Sequence, residues 1–307
     1  MLRFVIFWTV RLAVSVFPRW FVYWGSHRLG DINYLFDRRG REAVKSNLRT
    51  ILPAGTSEDH ICFEARWVFR NFAKVISEFF SYRHFGPEFM DRYVQSRGME
   101  HVDNALARGR GAILVSAHIG NWELAAGAMA HLGHTVWGIV QMHAHPKVNE
   151  LFIGQREKRN YRILDMHNAV RPSAKALKEG GIICVMGERN LTDSGIPVRF
   201  FGKTALFPQG PARLALATKS PLLPGFTIRR PNEGFTLCFE PELQPPATGT
   251  KKEKVQAMTQ EFARILEDYV RWHPSQWGVF YRAWDEDPPG KVASRTEAAP
   301  AVAEDDA

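Results

Sequence analysis

The run GAILVSAHIGNWELAAG, residues 111–127, passes from a short apolar stretch through a histidine, a glycine and an asparagine into a helical pattern. "GAILVSA" has the length and branching of a buried strand. "NWELAAGAM" reads as a helix that begins at Asn121, a residue type that caps well. A strand feeding a helix across a tight turn is the repeating unit of a parallel sheet. His118 therefore leaves the carboxyl end of a strand, where open α/β sheets place their ligands. Glu123 falls in the first helical turn. Gly120 lets the backbone bend sharply, so the carboxylate is expected to fold back toward the imidazole. A carboxylate that holds one imidazole nitrogen as a donor leaves the other free to take a proton, the base and orienter of a triad.

Working outward, short apolar runs ("HTVWGIVQ", "YRILDM", "GIICVMG", "SPLLPGFTI") alternate with helical stretches ("RPSAKALKEGG", "GPARLALATK") from about residue 101 onward. The alternation predicts a mostly parallel central sheet flanked by helices, an α/β fold, with "GFTLCFEPEL" adding an antiparallel edge strand. Residues 31–100 read as helical, and "KKEKVQAMTQEFARILEDYVRW" is an amphipathic helix. The division expected is an interfacial anchor over 1–30, a catalytic domain over 31–286 and a disordered tail over 287–307.

Composition limits the partners. The chain has 307 residues and a formal net charge of +8, with 17 Lys/Arg against 11 Asp/Glu in the first 110 residues. That excess suits an anionic partner such as a membrane surface. Arg3, Arg11 and Arg19 interrupt the Phe/Val/Trp-rich amino terminus too often for a spanning helix. An amphipathic membrane-anchoring helix with interfacial Trp8, Trp20 and Trp24, kinked at Pro18, is expected, followed by a helical hairpin. The tryptophans cluster there instead of interleaving with Lys/Arg on strands, which disfavours nucleic acid. Three scattered cysteines offer neither a disulfide framework nor a zinc site. His143 and His145 could join His118 and Glu123 around a metal. Their setting in "QMHAHP" suits a polar loop, and H-E-x-x-H is absent, so no metal and no cofactor are expected.

No G-x-S-x-G elbow supplies a nucleophile, and Cys184 lies within an apolar run. A base without a protein nucleophile suggests that the substrate brings its own, such as a hydroxyl to be acylated. A thioester donor would release its thiolate readily.

"HIGNWE" resembles the H-x4-D/E block of the glycerolipid acyltransferases, in the form found in the bacterial lipid A late (lauroyl/myristoyl) acyltransferases. "REAVKSNLRTILP", "GIPVRFFGKTALFPQGPARLALATKSPLLPGF" and "HPSQWGVFYRAW" are similar to further blocks of that family, in order, over residues 3–284. The resemblance implies an enzyme at the cytoplasmic face of the inner membrane that transfers a fatty acyl group from acyl-ACP or acyl-CoA to a lipid hydroxyl. His118 would be the base and Glu123 its orienter, with Gly120 and Asn121 lining the substrate and Arg189 the charged candidate for the oxyanion. Glu188-Arg189 followed by "LTDSG" looks closer to the phosphatidylinositol mannoside acyltransferases, which would bring Glu188 near His118 in a shared orienting role. Phe201-Gly202 of "FFG" would line an acyl groove or form a hydrophobic turn. A glycolipid or lysophospholipid acyltransferase stays open as the alternative, as does a noncatalytic lipid-binding protein.

Overall fold

The computed structural model describes residues 2–81, 86–191 and 194–284. From the amino end the chain runs α1 (Leu2–Val16), α2 (Arg19–Phe36), α3 (Arg38–Ile51), α4 (Glu58–Phe80), α5 (Pro87–Tyr93), β1 (Val94–Arg97) and α6 (Met99–Leu106). The α/β portion follows with β2 (Ala112–Ser116), α7 (Trp122–His131), β3 (Val136–Val140), α8 (Pro146–Glu157), β4 (Arg162–Asp165), α9 (Val170–Lys178) and β5 (Ile182–Met186). It closes with β6 (Gly195–Phe200), β7 (Lys203–Pro208), α10 (Gly210–Thr218), β8 (Leu222–Arg229), β9 (Phe235–Phe239) and α11 (Lys251–Trp272).

Seven strands form one sheet in the order β1-β9-β8-β2-β5-β3-β4. The five from β8 to β4 are mutually parallel, as the alternating pattern predicts. Strand β2 sits inside the sheet because both of its faces are apolar. Ile113 and Val115 point into a core shared with Val68 and Phe69 of α4 and Met258, Phe262 and Leu266 of α11. Ala112 and Leu114 point the other way, against Val102 and Ala105 of α6 and Leu124 and Met129 of α7.

Two expectations are corrected at the other end of the sheet. Strand β9 does run antiparallel to β8, but it is not the edge, because β1 pairs with it in parallel from the far side. β1 lies in the segment read as helical. Its four residues, VQSR, are mostly exposed and carry no apolar period, so pairing with β9 and not local pattern makes it a strand. A separate antiparallel hairpin, β6–β7, was also not foreseen. Its turn is Phe201-Gly202, both at positive φ (50° and 72°), the left-handed pair that two-residue hairpins favour.

The amino-terminal segment breaks into α1 and α2 at Pro18. Phe4, Phe7, Val10 and Val14 pack on Phe80 of α4 and Phe152 of α8. The opposite side of α1 exposes Val5, Trp8, Leu12 and Val16. Among the described residues no helix is long and apolar enough to cross a membrane. The tail from residue 287 lies outside the described residues.

Helix α2 is tied to α4 by charge. Asp31 accepts hydrogen bonds from Arg70 Nε (2.7 Å), Arg70 Nη2 (2.9 Å) and Arg66 Nε (2.7 Å). The Arg70 hydrogen bonds, more than the opposing effect of burial, hold its carboxyl well below the usual range, with Arg66 adding to them. A carboxyl lowered in the folded state stabilises fully above its unfolded pKa of about 3.9, and that stability disappears as pH falls through the folded value. Thermal midpoints of wild type and Asp31→Asn measured from pH 7 to pH 2 should therefore differ by a steady amount down to about pH 5, and the gap should narrow progressively below about pH 4. A constant gap would contradict the pairing.

Candidate active site

Two parallel strands end side by side and bring the site together. Ser116 of β2 pairs with Met186 of β5. Two residues further, where side chains return to the same face, stand His118 and Glu188. The Gly187 N–H donates to the Ser116 carbonyl at 2.8 Å and carries the register past the strand ends. The Glu188 side chain is 1% exposed and that of His118 24%.

Glu188 Oε1 accepts from the His118 backbone N–H at 2.8 Å and makes a short contact with the His118 ring at Nδ1. Burial alone would raise the Glu188 carboxyl, but the His118 charge and these hydrogen bonds outweigh it and hold the group ionised. An ionised carboxylate only accepts, so the Nδ1–H faces Glu188, and in the neutral ring Nε2 offers a lone pair. The other carboxylate oxygen, Oε2, is buried and has no hydrogen-bond partner among the described residues.

Glu123 does not take the orienting place, which corrects the expected pairing within the H-x4-E block. Its carboxylate accepts from Arg156 Nη2 (2.6 Å), Arg156 Nε (3.3 Å) and the Tyr161 hydroxyl (2.9 Å). Because Glu123 lies within the first turn of α7, its side chain leaves toward α8 and β4, away from the end of β2. Desolvation opposes its charge, yet Arg156, Tyr161 and Arg159 keep it below the usual carboxylate range. Glu123 is a strut between α7 and α8.

The turn carrying His118 is pinned from three sides. The Gly120 N–H donates to the Gln276 carbonyl (3.0 Å), the Asn121 N–H to the Thr227 carbonyl (3.0 Å), and the Gly278 N–H to the His118 carbonyl (2.7 Å). Gly120 has φ +60°, and a Cβ there would lie 1.7 Å from the Thr227 oxygen. Only glycine fits. Asn121 caps α7 as its sequence predicts, accepting from the Leu124 N–H at 3.0 Å, while its Nδ2 donates to Glu78 at 2.5 Å. Both ends of that buried amide are used inside the protein, so the Asn121 side chain, like Gly120, builds the turn.

Beside the imidazole stands an aromatic wall. The Trp122 ring meets His118 edge-on at 4.9 Å, and Phe72 lies between Trp122 and Phe280. Arg189 is adjacent in sequence to Glu188, but its guanidinium rests over the Tyr281 ring at 5.5 Å. Phe201 and Gly202 are the hairpin turn, and Phe201 is held by Glu267 and Arg271 of α11 and by Trp284. Among the described residues no hydrogen bond or ring contact joins Arg189, Phe201 or Gly202 to His118. Cys184 is no rival nucleophile, because burial pushes its thiol up to about 12.

The model of the family described as bacterial lipid A biosynthesis acyltransferases matches residues 1–286. The chain belongs to this family. It is similar to the phosphatidylinositol mannoside acyltransferase of Mycobacterium tuberculosis, 28% identical over 82% of this chain and 79% of that protein. The corresponding Mycolicibacterium smegmatis enzyme is 28% identical over 81% of each. The lipid A biosynthesis lauroyltransferase of Escherichia coli is 24% identical over 87% of this chain and 86% of the relative. As a family member the chain is a lipid acyltransferase, and His118, Glu123 and Glu188 can be weighed within that chemistry.

Replacing Gly120 by Ala should displace the turn. The expected outcome is a stability loss beyond the roughly 1 kcal/mol typical of strain at positive φ, together with loss of acyl transfer. Denaturant midpoints check the first and product formation the second. A stable and active Gly120→Ala protein would contradict the wedge against Thr227.

Proposed function

We propose that the protein transfers a fatty acyl group from an acyl thioester, acyl-ACP or acyl-CoA, to a hydroxyl of a lipid acceptor, with His118 as general base. The observation that carries the reading is the His118–Glu188 pair at the carboxyl ends of adjacent strands, with no hydrogen bond to Nε2 among the described residues and an aromatic wall beside it. In this reading Nε2 removes the acceptor proton, and the oxygen attacks the thioester carbonyl carbon. The C–S bond then breaks, the thiolate leaves and takes the proton from the imidazolium, and an ester and a free thiol are the products. No acyl-enzyme forms, which agrees with the high pKa of Cys184. The aromatic wall of Trp122, Phe72 and Phe280 suits an acyl chain. The two kinds of relative act, by their names, on phosphatidylinositol mannoside and in lipid A biosynthesis, so those acceptors come first in any panel.

The exposed side of the amino-terminal helices supports an interfacial site of action. Trp20 is 72% exposed and Trp24 53%. Trp8, Leu12, Val16 and Phe17 are exposed as well, and Arg11 and Arg19 lie among them in sequence, the composition of a helix lying in the headgroup region. The partner in this reading is an anionic membrane surface, at the cytoplasmic face of the inner membrane.

Incubating the purified enzyme with a panel of thioesters and lipids and identifying the product by mass tests the reaction. Within it, His118→Ala and Glu188→Gln should each lower the rate by about 10²- to 10⁴-fold. Glu123→Gln should lower stability more than rate per folded molecule, and a loss equal to that of His118→Ala would restore Glu123 to the orienting role. Sedimentation with anionic vesicles tests the surface. The triple variant Trp8→Ala/Trp20→Ala/Trp24→Ala should bind them more than about tenfold more weakly, since each ring removes a large apolar area from the interface. Unchanged binding would refute it.

A further inference from the structure

We propose that Glu78 is a positioning residue for the acyl transfer, setting the orientation of Asn121 and through it the turn that presents His118. The inference rests on the reading of His118 as the base.

Glu78, near the end of α4, is 0% exposed. Its Oε1 accepts from the Tyr23 hydroxyl (2.7 Å) and Arg229 Nη1 (2.5 Å), and its Oε2 from Arg229 Nη2 (2.9 Å) and Asn121 Nδ2 (2.5 Å). All four are donors, and the carboxylate is saturated. An asparagine amide donates at one end and accepts at the other, so its orientation follows from what it faces. Facing carboxyl oxygens that accept from every neighbour, Asn121 must turn Nδ2 inward, which sends Oδ1 to the Leu124 N–H and caps α7. The same residue's backbone N–H meets the Thr227 carbonyl, three residues beyond His118.

Glu78 also holds the second support of the turn. Arg229 donates its N–H to Gln276 Oε1 (2.9 Å), and its carbonyl accepts from Gln276 Nε2 (2.9 Å). The Gln276 carbonyl in turn receives the Gly120 N–H at 3.0 Å. One carboxylate therefore anchors both arms, Asn121 directly and Gln276 through Arg229. A buried ion pair is weak as a source of stability, and an apolar pair of similar volume often does as well. What an apolar pair lacks is the power to choose between two amide orientations. Lys74 and Glu233, joined at 2.7 Å, complete the buried network on the side of the β8–β9 turn.

The test begins with Asn121→Ser, which retains a capping hydroxyl but loses the Nδ2 amide that reaches Glu78. The readouts are kcat and KM for thiol release from palmitoyl-CoA with acceptor vesicles, the thermal midpoint, and the downfield proton resonance of His118 Nδ1–H, assigned by its loss in His118→Ala. The expected result is a kcat lower by about 10- to 100-fold, the scale of a small misplacement, with KM within about twofold and the resonance moved or broadened in a folded protein. Wild-type kcat with an unmoved resonance, or a change confined to KM, overturns the proposal. The double variant Glu78→Gln/Arg229→Gln removes both charges together and leaves no lone buried ion. In its folded form the same kcat loss is expected, and wild-type kcat again overturns it. If His118→Ala itself retains activity, the base reading fails, and the resonance still reports separately whether Asn121 governs the imidazole.

Discussion

The place of the imidazole is decided by a glycine pressed against a carbonyl. Gly120 sits at φ +60° with its α-carbon so near the Thr227 oxygen that no side chain fits. That approach lets β2 turn directly into α7, and His118 is left projecting from the sheet edge instead of being carried into the helix. Around this contact the structure commits much of its polar interior: the Gln276 and His118 carbonyls, the Asn121 amide, and the Glu78–Arg229 pair beneath. Preorganisation of this kind fixes the imidazole before any substrate arrives, and in the proposed reaction it would spare the cost of ordering the base.

Much of this was legible in the chain. The apolar run ending at His118, the glycine and the capping asparagine predict strand, turn and helix, and all three stand as read. The parallel sheet follows from the alternation, because strands buried on both faces have to be apolar throughout. The partner of His118 was not legible from spacing alone. A five-residue separation looks like a pair, but once a helix begins at Asn121 the carboxylate at 123 is carried sideways to Arg156 and Tyr161. The true neighbour lies 70 residues on, and only the β2–β5 register reveals it.

Other omissions have the same origin. Glu78, Arg156, Tyr161 and Gln276 bear no local mark of their roles, since each works through a partner distant in sequence. β1 was hidden because a short exposed strand has no period to detect. The β6–β7 hairpin was more accessible: Val198, Phe200, Ala205 and Phe207 alternate with exposed residues on either side of a Phe-Gly turn. Reading "FFG" as a structural corner follows from the turn chemistry without reference to any ligand.

Because the carboxylate that meets His118 arrives from the end of β5, and the segment that closes over the turn arrives from residues 276–278 after α11, the site is distributed over most of the chain's length. A nascent polypeptide that has made only β2 and α7 already displays the histidine, yet holds neither its acid nor its clasp. The His118–Glu188 pair can therefore form only after β5 has been made, and the clasp over the turn only after residues 276–278.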